Sequence, residues 1–281
     1  MGLFAQNNPP TNFTATFTQS PARIEFSWVV PQSGNPQRYA IYVDYVVGGT
    51  NVPIGQTEGP NDTNLNISVN HSWLNENKSF RLAAIYPNPT GPILTPTIHD
   101  FTIAANPPRN LTANFSNDGG VNLAWTAPAN TSQHMLALSQ YRIYRNGNPI
   151  VSVFSDILQY TDHYTNITNN TTYTYSVKAV YSIVPEYVTD SNTATITRIL
   201  NPPTGLDYSF DMNSISTVLT WYRPTGSSAN PTRYHVYRNN VVISTATLPG
   251  SSLYFNDSTA EVNFQHIYYV KAEYFNNETV A

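Results

Sequence analysis

Three landmarks recur along the chain at nearly equal intervals, and any fold must accommodate that period. The tripeptide Asn-Pro-Pro begins at Asn8, Asn106 and Asn201, intervals of 98 and 95 residues. Trp28, Trp125 and Trp221 keep the same beat, 97 and 96 residues apart, each inside an alternating segment: "RIEFSWVV", "VNLAWTAP" and "STVLTWYRP". Beyond each Trp comes an aromatic-x-aliphatic-aromatic group, Tyr39 to Tyr42, Tyr141 to Tyr144 and Tyr234 to Tyr237. A second alternating run then ends in Ala: Phe80-x-Leu82-x-Ala84, Tyr175-x-Val177-x-Ala179 and Tyr268-x-Val270-x-Ala272. The chain is a tandem array of three units.

The units read as all-β. Alternation with period 2 over five to eight residues marks strands with one buried face. About seven such segments per unit are divided by turn signals, of which Asn146-Gly147 is the strongest, because both residues tolerate the positive φ of a tight hairpin. Charged residues are only 11% of the 281, while 20 Tyr and 21 Pro, with abundant Asn, Thr and Ser, favour strands and turns over helices. Seven short strands in about 95 residues with an inward Trp fit a two-sheet sandwich.

On these residues each unit resembles a fibronectin type III domain: a Pro-rich start, Trp on the second strand, Tyr-x-aliphatic-Tyr on the third, and an alternating run ending in Ala on the sixth. The style is similar to that of secreted bacterial versions. The resemblance implies three tandem immunoglobulin-like, seven-stranded sandwiches, with an N-terminal segment 1–7 and domains at 8–105, 106–200 and 201–281. Trp28, Trp125 and Trp221 are expected to fill the gap between sheets, with Tyr42, Tyr144 and Tyr237 in the core. The family's tyrosine-corner position, six residues before the landmark Ala, holds Tyr173 in the middle unit, but Lys78 and His266 in the others.

Little in the sequence points to chemistry. The six His are scattered without metal-ligand spacing, and no nucleophile elbow, phosphate-binding loop or dinucleotide fingerprint appears. There is no Cys, so neither disulfide nor thiolate chemistry applies. "NDTN", "NDGG" and "DMNS" offer oxygen ligands but lack the spaced acidic loop of a calcium site. The expectation is no enzyme, no cofactor and no metal. A net charge of −4 supplies no basic stripe for nucleic acid, and no apolar run is long enough to insert in a membrane.

What remains is surface. The middle unit's "QHMLALSQY" (Gln133 to Tyr141) is longer and greasier than "GNPQRY" or "ANPTRY" in the flanking units, so Met135, Leu136 and Leu138 form either an interaction patch or a cover for a neighbouring sandwich. The leading expectation for function is a secreted or cell-surface spacer or adhesive stalk with a protein or cell-surface partner, its Asn-Pro-Pro joints stiffened by fixed φ. The alternative is a carbohydrate-binding accessory array, which would show a planar row of exposed aromatics on one sheet face. A third reading starts from the ends. "MGLFAQNNPP" aligns with the tail of a seventh strand, while the third unit stops at "AEYFNNETVA", where its last strand should begin. Leu3 and Phe4 of one molecule could therefore complete the third domain of the next.

Overall fold

The computed structural model describes residues 7–87, 91–116, 119–163, 169–183, 187–244, 248–274 and 279–280. The first unit contains β1 (Thr11–Gln19), β2 (Ala22–Val29), β3 (Arg38–Val43), β4 (Gly55–Gln56), β5 (Asn64–Ser68), β6 (Asn77–Ile85), β7 (Pro92–Leu94) and β8 (His99–Ala104). The second contains β9 (Arg109–Phe115), β10 (Val121–Thr126), β11 (His134–Met135), β12 (Leu138–Arg145), β13 (Asn148–Phe154), β14 (Gln159–Asp162), β15 (Thr172–Tyr181), β16 (Tyr187–Asp190) and β17 (Ala194–Thr197). The third contains β18 (Thr204–Asp211), β19 (Ser216–Tyr222), β20 (Arg233–Arg238), β21 (Val241–Val242), β22 (Leu248–Pro249), β23 (Tyr254–Asp257), β24 (Tyr268–Glu273) and β25 (Thr279–Val280).

Each unit pairs a three-stranded sheet with a larger one. The small sheets run β1-β2-β5, β9-β10-β14 and β18-β19-β23. The larger ones are built on β4-β3-β6-β8, β13-β12-β15-β16 and β21-β20-β24-β25. The result is a two-sheet sandwich, three times over. Alternation produces the burial directly: along β2, Ala22, Ile24, Phe26 and Trp28 face inward, while Arg23, Glu25 and Ser27 do not. The three Trp residues lie buried between the sheets, each against an inward Tyr, with ring centroids 5.2 Å (Trp28–Tyr39), 5.4 Å (Trp125–Tyr141) and 5.4 Å (Trp221–Tyr234) apart. Tyr173 is also buried, opposite Ile196. At the matching positions Lys78 pairs with Glu76 and Asp44, and His266 accepts or donates at Asn239 and the Glu261 carbonyl.

Two expectations need correction. Tyr42 is buried, 7% exposed, but on the outer face and not between the sheets, and Tyr144 and Tyr237 are only partly buried there. Three residues after an inward Tyr the period-2 pleat points outward, so Tyr42 packs on Tyr45 in a satellite cluster, Tyr144 lies under Lys178, and Tyr237 stacks on Tyr269 at 4.6 Å. The third unit's last strand is also not wholly missing. In the first two units that strand is broken in two, β7 with β8 and β16 with β17, each part pairing a different half of the sixth strand. Thr279 and Val280 form the first part in the third unit, opposite Glu273 and Ala272. Asn146-Gly147 makes the expected hairpin, with φ of 49° and 77°.

Candidate interaction surface

The described structure is most informative at the joints and the exposed faces. At the first joint each residue is claimed by one unit or the other. Asn75 of the first unit accepts from the Ala105 N–H (2.9 Å) and donates to its carbonyl (3.2 Å). The next residue belongs to the second unit: the Asn106 amide donates to the Ala129 carbonyl (2.8 Å) and Thr131 Oγ1 (2.7 Å), while its carbonyl accepts from the Tyr181 hydroxyl at 2.5 Å. The second joint repeats the pattern. Asn169 holds Leu200 at 2.7 and 3.0 Å, whereas Asn201 donates to the Thr225 carbonyl (2.7 Å) and accepts from Tyr274 (2.7 Å). At Asn8 the same tether comes from Tyr86, 2.6 Å away.

Tyr86, Tyr181 and Tyr274 each stand two residues after the landmark Ala, a periodic signal that the sequence carried and that the search at the corner position passed over. Burial pushes all three hydroxyls up, so they remain protonated donors. Pro at the following two positions has no N–H to satisfy, which suits a segment latched at the Asn, through its side chain and carbonyl and, at Asn201, also through its N–H to Ser227 Oγ (2.9 Å).

The first joint has a further lock. His134 and Met135 form β11, which adds in parallel to the edge strand β8 of the first unit, opposite Ile103 and Ala104. Leu136, only 2% exposed, continues the ladder through its N–H to the Ala104 carbonyl (2.9 Å). Gln19 donates to the Met135 carbonyl (2.7 Å) and Ser132 to that of Thr102 (2.5 Å). The His134 ring sits against Phe101 (4.7 Å) and Phe17 (5.7 Å), and His71 meets Tyr187 across the same seam (5.2 Å). Burial holds the His134 imidazole below its ordinary value, so it is neutral there at pH 7. Met135 and Leu136 are therefore seam residues between units, while Leu138 pairs with Tyr181 inside the second unit and is half-buried against the core. One continuous apolar core spans units one and two, while the third has its own. Leu3 and Phe4 lie outside the described residues.

Among the described residues no three His, Asp or Glu side chains converge as a metal would need, and no helix is long and apolar enough to cross a membrane. No family model and no curated protein matches the chain. Solved structures do. The chain is similar to the central fibronectin-III array of RIM-binding protein at 14% identity and a TM-score of 0.27, covering 97% of this chain and 95% of that one. It is similar to the chicken CNTN1 FN1-FN3 domains at 15% identity and a TM-score of 0.31 (96% and 93%), and to the chicken interferon gamma receptor alpha chain at 13% and 0.27 (69% and 99%).

Proposed function

We propose that the chain is a stiff, secreted or cell-surface spacer that holds a protein-binding or adhesive module at a fixed reach. The observation that supports this is the pair of joints without a slack residue: position 105 or 200 is held by one sandwich and position 106 or 201 by the next. A linker of zero free length cannot act as a random coil. Spin labels on units one and three, read by electron-electron distance measurement, test it. A narrow distance distribution is expected, broadened by inserting Gly-Gly between Ala105 and Asn106; a wild-type distribution as broad as the insertion variant's defeats the proposal.

A second reading, strand donation, draws on the third unit. The inner-face residues Tyr208 and Phe210 of β18 are 75% and 50% exposed, whereas their counterparts Ala15, Phe17, Ala113 and Phe115 are partly buried against the core, β9 lying beside β17 and Phe17 against His134. Among the described residues no second strand follows the stretch 265–268, the match to Thr172–Tyr175, which β17 pairs. In this reading the segment 1–6 of a second molecule would cover these residues, because it keeps the sequence register to Asn8 that Phe101 and Ile103 keep to Asn106. Deleting residues 1–6 should then abolish self-association in analytical ultracentrifugation; a monomer before and after deletion removes this reading.

A further inference from the structure

The outer face of β18-β19-β23 carries a feature that the other units lack. Tyr222 follows the core Trp221, so it points outward, and it is 70% exposed. Tyr254 points outward from the adjacent strand, where it pairs with Thr220, and it is 65% exposed. The two are diagonal neighbours on one sheet face, with Cα atoms about 7–8 Å apart in such an arrangement. Both rings stand on this one face, Tyr222 leaning over β18 and Tyr254 standing on β23.

The framework does not require these aromatics. At the Tyr222 position the first and second units have Val29 and Thr126, and at the Tyr254 position they have Asn64 and Gln159. A second difference accompanies the first. Four residues after the Asn of each Asn-Pro-Pro the backbone turns left-handed at a bulge, and the residue there is Asn12 (φ 51°), Asn110 (φ 54°) or Gly205 (φ 62°). Only in the third unit is it Gly. A Cβ at Gly205 would stand 2.3 Å from Cδ2 of Tyr222 and 2.5 Å from its Cε2. The missing side chain is the space the phenol occupies, so the ring is laid across the strand instead of standing off it.

We propose that Tyr222 and Tyr254 form a binding platform for a neutral, β-1,4-linked pyranose chain. Such a chain has flat faces lined with C–H bonds, whose positive ends meet the negative face of an aromatic ring. Its equatorial hydroxyls need small polar partners at the rim. Thr220, Ser209, Asn256 and Asp207 supply hydroxyl, amide and carboxylate groups on this same face. Two exposed rings among small polar side chains suit stacking on a sugar's C–H face better than the deeply buried anchor that dominates protein–protein binding. The exposed Asp207 and the net charge of −4 disfavour anionic polymers. This platform stands independently of the spacer role, which concerns the joints.

Isothermal titration of the full 281-residue chain with cellohexaose, chitohexaose and mannohexaose tests the platform. At least one oligosaccharide should bind. Tyr222→Ala and Tyr254→Ala should each weaken that binding at least about tenfold, and Tyr222→Phe should retain it. Gly205→Asn, which restores the residue type of the other units, should also weaken binding by pushing the ring away. Both tyrosines are exposed, so the alanine variants should melt like the parent. No binding to any of the three sugars, or binding that survives both alanine substitutions, overturns the proposal.

Discussion

The second and third sandwiches bury an ion pair that the first replaces with apolar side chains, which allows a worked prediction. In the second unit Arg145 reaches Asp162 at 2.6 Å, and the Tyr175 hydroxyl donates to the same carboxylate at 2.8 Å. In the third, Arg238 and Tyr268 hold Asp257 at 2.7 and 2.8 Å. The strand registers place Val43, Ile67 and Phe80 at the same three positions of the first unit. Asp162 is 5% exposed, so truncating it alone leaves the Arg145 guanidinium and the Tyr175 hydroxyl poorly solvated, at a cost of about 3–5 kcal/mol. The triple change Arg145→Val, Asp162→Ile, Tyr175→Phe removes every desolvated polar group together, and should be neutral to about 1–4 kcal/mol stabilising. Hydrogen exchange of β10 and β15 in the full chain reads the local opening energy, with β2 and β6 as an internal control. A single Asp162→Ile costing under about 1 kcal/mol, or a triple variant as unstable as the single, would refute the reasoning that desolvation sets the scale.

The remaining predictions concern the core, the tether and pH. Trp125→Ala should cost the second unit about 3–5 kcal/mol, visible as early loss of exchange protection in β10 during urea titration. Tyr181→Phe deletes one hydrogen bond to the Asn106 carbonyl, which Thr189 also reaches at 3.3 Å; a loss of about 0.5–1.5 kcal/mol is expected in chemical denaturation. Burial raises the Asp257 carboxyl, but hydrogen bonds from Thr259, Tyr268 and Arg238 outweigh it and leave it below its ordinary 3.8. A carboxylate depressed in the folded state gives stability present above that ordinary value and lost as pH falls through the folded one, so the third unit should loosen below about pH 4. Exchange protection of β23 that is flat through that range removes the linkage. His134 has the same sense at a higher pH: lowered by burial, it should weaken the first seam as pH falls below 6.5, which exchange at β8 and β11 reports.

The sandwich was legible because its determinants are local and periodic. Alternation located the second, third and sixth strands, and the Trp spacing fixed the number of units. Tyr42, Tyr144 and Tyr237 were misplaced by trusting residue type over parity. Each lies an odd number of positions from an inward Tyr, and the pleat alone sends it outward. The broken seventh strand was not legible, since a break between β7 and β8 or between β16 and β17 depends on which half of the sixth strand is free to pair. The seam residues were visible as a greasy stretch, yet its destination was not. Strand addition to β8 depends on an open edge in a different unit, about 30 residues away in sequence by the β8–β11 pairing.

The joints and the platform show what a tandem array offers beyond a single domain. Where the three units agree, at Asn8, Asn106 and Asn201 with Tyr86, Tyr181 and Tyr274, the shared hydrogen bond belongs to the construction of the joint. Where they differ at one framework position, the other units act as controls for what the fold itself demands. Val43, Ile67 and Phe80 show that the buried ion pair is dispensable to the sandwich. Val29, Thr126, Asn12 and Asn110 show likewise that neither Tyr222 nor the glycine beneath it is needed to close the small sheet. A glycine in left-handed backbone would be expected on conformational grounds alone, but Asn serves there twice. The space above Gly205 is thus better explained by the ring that fills it, and that ring by what binds its open face.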